Sequence, residues 1–481
     1  MEKSTRKSNA MCEKQTQFAA PVLRFILTAL LLAGVISAAL PGSIRTQAET
    51  QPNYRSATFS AGASPSAAKI GDLDGDGLND IAVVNLQGAL QLFFNNGAGS
   101  FERISLNGLW PSSSRTSDVD IGDLNGDGRN DIAVAFSTQT GSVSVLINQG
   151  ARTFAGPVNY NVCNSSRGVA IGDLDQDGDN DLADISQCSK AGVLLNNGQG
   201  TFGFKGTYGA GSSSKSIALA DFNRDGRKDI AYVNNGNASI TMVLNSGNGS
   251  FGAPAWYYVG DLPDDLAVGD FDSNGTPDIA VALSYYSEIF ILFGDGNGGF
   301  FGYSEIYGGD SPSSIAQADL NADGRTDLAV TSWGSNGLSV LLNQGNYNFA
   351  GPTTFTVGQS PVDVAAGDLD GDGLPDLVAV NQGSGNITVL FSAVVPAPPP
   401  PSQITLTVST RGTKTAKLVD LKWSGATSSS VDVYRDGSRI ATVVNTGSYT
   451  DQFDKRAKGT FRYRVCAAGS QQCSNEVTLS F

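Results

Sequence analysis

Hydrophobic and polar residues alternate along most of this chain in short runs, and the runs come in sets. From Ser216 to Phe251 the order is an alternating SIALADF, an acidic loop, the apolar DIAYVN, a short turn, SITMVLN, a Gly-Asn turn and Phe251. Runs of this length, broken by Gly and Asn, predict β-strands joined by hairpins. With an outer strand after Phe251, each set makes four antiparallel strands. The expected fold is all-β.

The set recurs seven times. Its leading segment, GDLDGDGLNDIAV, starts at Gly71, and relatives start at Gly122, Gly172, Ala220, Gly269, Ala318 and Gly367, 48 to 51 residues apart. A period near 50 residues marks a propeller or a solenoid. Seven four-stranded units fit a seven-bladed β-propeller. After Phe391 the last unit runs into prolines and lacks its outer strand, while an unpaired strand, Arg55 to Ser60, precedes the first unit. Pairing the two would close a ring and remove an exposed edge. A solenoid would leave one strand spare and one missing.

Each unit also holds a nine-residue loop with oxygen side chains at its first, third, fifth and ninth positions and Gly at the sixth. The oxygen-bearing residues are Asp72, Asp74, Asp76 and Asp80; Asp123, Asn125, Asp127 and Asp131; Asp173, Asp175, Asp177 and Asp181; Asp221, Asn223, Asp225 and Asp229; Asp270, Asp272, Asn274 and Asp278; Asp319, Asn321, Asp323 and Asp327; Asp368, Asp370, Asp372 and Asp376. Calcium takes 6–8 oxygens, and short Asp side chains at alternating positions can wrap round one ion, with Gly allowing the turn that aims the seventh carbonyl inward. An EF-hand begins the same way but needs a twelfth-position Glu; here that place is Val83, and a strand follows at once. A plain Asx-Gly hairpin explains one such loop. It does not explain the same oxygens seven times, with Asn substituting four times and keeping an oxygen each time. These loops are therefore expected to be calcium sites, up to seven ions in all.

Composition sharpens this. The chain has 481 residues and no His, which removes the commonest general base and zinc ligand. A net charge of −15 argues against nucleic acid as a partner. The oxygen-bearing positions of the loops hold 24 of the 46 acidic residues. Without a cation, three or four carboxylates crowd each loop and repel one another.

The N-terminus reads as a bacterial export signal over 1–48: Lys3, Arg6, Lys7, Lys14 and Arg24, an apolar run from Phe25 to Leu40, then Thr46-Gln47-Ala48. An uncleaved anchor is the alternative. After cleavage no membrane span is expected, and the protein is placed outside the cytoplasm: secreted, at the cell surface, or in the periplasm. Cys163, Cys188, Cys466 and Cys473 then remain, an even number that suits disulfides in an exported chain. The expected pairs are Cys163 with Cys188 and Cys466 with Cys473.

The loops, together with Phe251-Gly252-Ala253-Pro254, Phe154-Ala155-Gly156-Pro157 and Phe349-Ala350-Gly351-Pro352, resemble FG-GAP/VCBS repeats, those of the integrin alpha-subunit propeller among them. The likeness covers 54–395. It implies a seven-bladed propeller, calcium between first and second strands, and roles in adhesion or ligand binding. Unlike integrins, this chain carries the loop in every unit and lacks the leg domains.

In such blades the calcium loops share one face with the Gly-Asn turns. The opposite face should collect Trp110, Tyr208, Tyr258, Tyr285, Tyr286, Tyr307 and Trp333 with Arg115, Arg167, Lys190 and Lys215, a surface suited to a carbohydrate or protein ligand. The non-loop carboxylates Asp264, Asp265, Glu288, Glu305 and Asp310 form no catalytic motif. A proline-rich linker at 396–402 precedes 403–481, where about seven alternating runs predict a β-sandwich. Trp423, Tyr434-Arg435-Asp436-Gly437 and Tyr463-Arg464-Val465 resemble a fibronectin type III domain, although Phe461 stands where that family commonly has its corner tyrosine. The expected function is non-catalytic recognition outside the cell. The rival is an extracellular carbohydrate-active enzyme, a polysaccharide lyase or glycoside hydrolase, on the same scaffold.

Overall fold

A computed structural model describes residues 53–110, 114–137, 142–162, 165–186, 190–209, 211–393, 404–413, 415–426, 428–468 and 473–481. The export signal, the proline linker and the Cys163–Cys188 pair lie outside the described residues. The fold is all-β and built from repeats. Units are numbered here 1 to 7 by their leading Asp, from Asp72 to Asp368.

Each unit contributes one four-stranded antiparallel sheet. In unit 1 the strands are Pro65–Gly71, Asp80–Asn85, Ala89–Asn95 and Phe101–Asn107, paired in that order. In unit 7 they are Pro361–Gly367, Asp376–Asn381 and Asn386–Ala393, and the outer place is taken by Asn53–Ser60 from the start of the repeats. That pairing is antiparallel, with Ala57 opposite Val389. The spare and the missing strand meet as the sequence expects.

Burial differs across each sheet. Second strands such as Asp80–Asn85, Asp229–Asn234 and Asp376–Asn381 are buried at every position, whereas the outer strand Phe300–Tyr307 alternates half-buried and exposed. A sheet packed between two others hides both faces of its middle strands. The core is accordingly divided into clusters shared by neighbouring units. One joins Leu174, Ile185 and Val193 of unit 3 to Ile230, Tyr232 and Phe251 of unit 4. Another joins Ile81, Val83 and Phe93 of unit 1 to Val378, Val380 and Phe391 of unit 7. Asp363 Oδ2 accepts the Ala68 amide at 2.7 Å, and Asn95 Nδ2 donates to the Leu369 carbonyl at 2.7 Å, so polar bonds also tie unit 7 to unit 1. This is a propeller-like arrangement.

Units 2, 4 and 6 differ from the rest in one respect. After the third strand they form a small hairpin, such as Asn148–Gly150 with Thr153–Phe154, and then a four-residue outer strand, such as Val158–Asn161. The cause is local. Pro157, Pro254 and Pro352 follow the hairpins, and a proline has no N–H to continue a ladder. Units 1, 3 and 5 lack that proline and run straight into outer strands of seven or eight residues.

The C-terminal segment forms seven strands in two antiparallel sheets. Thr405–Gly412, Ala416–Ser424 and Ser448–Asp454 make one; Ser438–Val444, Ser430–Arg435, Thr460–Ala467 and Val477–Ser480 make the other. Leu406, Leu421 and Trp423 from the first share a core with Val431, Val433, Tyr463 and Val465 from the second. The Trp423 Nε1–H donates to Asn445 Oδ1 at 2.8 Å, which satisfies the one polar atom it buries. Cys466 and Cys473 form a disulfide, as expected.

Candidate metal centres and the opposite face

Every acidic loop has the same internal scaffold. The first Asp accepts the amide of the sixth residue, as in Gly77 N to Asp72 Oδ2 at 2.9 Å and Gly324 N to Asp319 Oδ2 at 2.8 Å. In loops 1 to 6 the third and fifth side chains accept amides two residues on, as in Asp76 N to Asp74 Oδ1 and Leu78 N to Asp76 Oδ1, and in loop 7 the fifth does so, from Leu374 N to Asp372 Oδ1 at 2.8 Å. The sixth residue has φ between 78° and 95° in all seven loops. A Cβ at Gly77 would meet nothing within 4 Å, so the glycine is required by backbone conformation rather than by space.

The ninth residue is the most constrained. Asp80, Asp131, Asp181, Asp229, Asp278, Asp327 and Asp376 are fully buried. Each accepts at least two amides: Asp80 takes Leu73 N at 2.8 Å and Asn95 N at 2.7 Å. Burial pushes these carboxyls up to about 6 for Asp80, Asp131, Asp229 and Asp376, and to about 7 for Asp181, Asp278 and Asp327, against the pull of the amides. A nearby cation would reverse that shift.

Four loops bring three carboxylates together. One oxygen each from Asp72, Asp74 and Asp80 lies within 4.8 Å of the others, and the same holds for Asp173, Asp175 and Asp181; Asp270, Asp272 and Asp278; and Asp368, Asp370 and Asp376. Asp370 Oδ1 is buried with no hydrogen-bond partner among the described residues. Hard oxygen donors and an unsatisfied buried carboxylate fit a hard divalent cation. The fifth-position carboxylates Asp76, Asp177 and Asp372 do not join these clusters. In loops 2, 4 and 6 the third position is Asn125, Asn223 or Asn321, whose Nδ2 donates to Asp127, Asp225 or Asp323 at 2.9–3.0 Å.

The opposite face holds a funnel of about 760 Å³ lined by Arg167, Lys215, Asp264, Tyr285 and Trp333 among others. Its rim is built from one matched position per unit: Ser66, Ser117, Arg167, Lys215, Asp264, Ser313 and Val362. Ser66, Ser117 and Ser313 donate to carbonyls of the following unit. Lys215 pairs with Asp264. Tyr285 and Trp333 are 67% and 55% exposed. Tyr258, Tyr286 and Tyr307 are exposed as well. Two of the expected aromatics are not available. Trp110 is buried, donating Nε1–H to Ser144 Oγ at 2.6 Å and packing beside Phe136. Tyr208 packs on Phe251 and donates to the Gly249 carbonyl at 3.2 Å. Among the candidate carboxylates, Asp265 is engaged by Ser314 Oγ at 2.6 Å and the Ile315 amide at 3.0 Å, tying unit 5 to unit 6.

The FG-GAP-like repeat matches six segments, 72–134, 123–183, 185–232, 221–281, 270–330 and 319–379, which together exceed half the chain. The chain belongs to the FG-GAP-like repeat family. No curated protein matches it in sequence. Two solved structures of BBS1N in complex with ARL6DN are similar to it. The one soaked with mercury has 11% identity and a TM-score of 0.51, and covers 72% of this chain and 99% of its own. The one soaked with lead has 14% identity and a TM-score of 0.50, and covers 70% and 95%. Sqt1 of Saccharomyces cerevisiae, at 12% identity, covers 70% and 98% with a TM-score of 0.46. At these identities the likeness concerns the fold alone. Among the described residues no helix is long and apolar enough to cross a membrane.

These FG-GAP-like repeats also depend on residues that read in sequence as mere turns. Asn95 and Asn196 end the third strands of units 1 and 3, and Asn148, Asn245 and Asn343 open the extra hairpins of units 2, 4 and 6. Each Nδ2 bonds the carbonyl of the eighth residue in its own loop and the second in the preceding loop, as Asn148 does to Asn130 O and Leu73 O at 2.9 and 2.8 Å. Their signal was recurrence 15 to 17 residues after the ninth-position Asp.

Proposed function

We propose that this protein is an exported, calcium-stabilised recognition protein: a closed seven-bladed propeller, integrin-like in its repeats, followed by a fibronectin type III-like sandwich. Seven sheets of four strands, with cores and hydrogen bonds running from unit 7 back to unit 1, support the closed ring. Two sheets around one core, with buried Trp423 and Tyr463, support the sandwich. The full ligand set of each loop is its first, third, fifth and ninth side chains with the seventh carbonyl, and calcium is the ion whose hard-oxygen preference suits them.

The observation that carries the recognition role is the funnel. It sets the exposed rings of Tyr285 and Trp333 beside hydroxyls and charged groups in a concavity large enough for a small ligand. Flat aromatic faces with nearby hydrogen-bonding groups suit a sugar or a protein side chain. An extracellular glycan or protein is thus the partner. A glycan array with wild type and Trp333→Ala, run beside a lyase and hydrolase screen, tests this. Binding without turnover, lost on substitution, is expected. Turnover abolished by replacing a non-loop carboxylate would instead establish the carbohydrate-active enzyme.

A further inference from the structure

The seven loops differ in charge, and the difference alternates. Summed over all side chains of the nine residues, the formal charges run −4, −2, −5, 0, −3, −2 and −4 from unit 1 to unit 7. The less acidic loops are those of units 2, 4 and 6. Each has Asn at its third position and Arg at its seventh, Arg129, Arg227 and Arg325, where the other units have Leu78, Asp179, Thr276 and Leu374.

The arginines are docked. Each guanidinium pairs with the fifth-position carboxylate of its own loop: Arg129 with Asp127, Arg227 with Asp225, Arg325 with Asp323. Each Nε–H also donates to the carbonyl that opens the extra hairpin, Asn148, Asn245 or Asn343, at 3.3, 3.1 and 2.5 Å. Units lacking the hairpin's proline also lack the arginine. One local feature therefore fixes a cation inside every second loop.

We infer that the loops form two classes of divalent-cation site, with those of units 1, 3, 5 and 7 filling at much lower calcium concentration than the arginine-closed loops of units 2, 4 and 6. The inference rests on the calcium reading above. Calcium affinity of acidic loops rises with ligand charge, and here the arginine cancels one carboxylate while Asn removes another. The four acidic loops are those in which three carboxylates converge, and one of them holds the unpartnered Asp370 Oδ1. Neighbouring charges refine the order. Arg152 from unit 2 reaches loop 1, its Nε 2.7 Å from Asp74 Oδ2, and Arg55 lies in the field of Asp370. Loop 3 carries five carboxylates and meets no such ion pair among the described residues, so it fills first.

The test is a titration of the chelator-stripped full chain with calcium by calorimetry, repeated with terbium luminescence. Four ions should bind in a first step and three in a second, at least tenfold weaker. In the triple variant Arg129→Leu, Arg227→Leu, Arg325→Leu, which installs the residue found at this position in units 1 and 7, the second step should tighten at least tenfold and the first stay put. Should that variant misfold by circular dichroism, Asn125→Asp, Asn223→Asp, Asn321→Asp is expected to tighten the same three sites. Seven equivalent ions, or a weak class that neither variant moves, would overturn the two-class assignment while leaving the calcium reading intact. No ion bound at all would overturn the calcium reading itself.

Discussion

The repeats and the C-terminal segment are both antiparallel β structures, yet they neutralise their buried polar groups in opposite ways. Among the described residues of the C-terminal segment, the buried carboxylates Asp432 and Asp451 each have a counter-charge, Arg439 and Arg435. Asp451 Oδ2 accepts from Tyr463 Oη at 2.7 Å and from Arg435 Nη1 at 2.7 Å, and a disulfide links Cys466 to Cys473. In the repeats the buried ninth-position carboxylates have only amide partners, and loops 1, 3, 5 and 7 cluster three carboxylates apiece. One region is complete in its own side chains. The other is built to be completed by a cation.

That contrast is sharpest under chelation. Excess EGTA should lower the melting temperature of the repeats by on the order of 10 °C or more, since each site saturated at 100 times its Kd contributes about 2.7 kcal/mol, while the C-terminal transition stays where it was. Scanning calorimetry reads both, and a repeat transition indifferent to EGTA breaks the comparison.

Substitutions within one loop divide the same way. Asp80→Ala strips the partners from two buried amides and should cost about 2–5 kcal/mol even in EGTA. Asp76→Ala, at an exposed turn outside the three-carboxylate cluster, should cost under about 1 kcal/mol there. Urea unfolding of both variants decides it; equal losses would mean the ninth position has no special structural role.

Reduction should act on the other region alone. Opening Cys466–Cys473, which closes a short loop, should destabilise the C-terminal segment by about 2–3 kcal/mol in the chain-entropy picture and leave the repeats untouched. A shift in the repeat transition on adding reductant would contradict this.

The smallest effect concerns acid. Asp118 and Asp363 line a central cavity of about 580 Å³. Burial pushes their carboxyls up to about 7 and about 6, nearby carboxylates adding to it. Both values exceed the unfolded value of about 3.9, so their stabilising contribution is complete below pH ~4 and is lost as pH rises through 6 to 7. At saturating calcium, wild type should therefore lose stability relative to Asp118→Asn between pH 5 and pH 8. A constant difference between the two melting curves would remove Asp118 from the argument.

The repeat period, the acidic loops, the strand that completes the last sheet and the Cys466–Cys473 pair were all legible in one dimension, because each depends on spacing or on local turn chemistry. The aromatic face was only partly legible. Trp110 and Tyr208 stand at or just after the ends of outer strands, as the exposed Tyr258 and Tyr307 do, but packing against Phe136 and Phe251 draws them inward. The role of Asn95 and its equivalents was hidden for a similar reason: their partners lie in the preceding unit, some 70 residues or more away.

What the amino-acid order settled by itself was the β periodicity, the sevenfold recurrence and the placement of oxygen donors, since backbone turns and strand alternation are decided within a few residues. What only the tertiary structure decided was which carboxylates converge, which are buried under amides and which are held by an arginine. Those outcomes depend on how one sheet lies against the next, and burial, unlike periodicity, belongs to the neighbours.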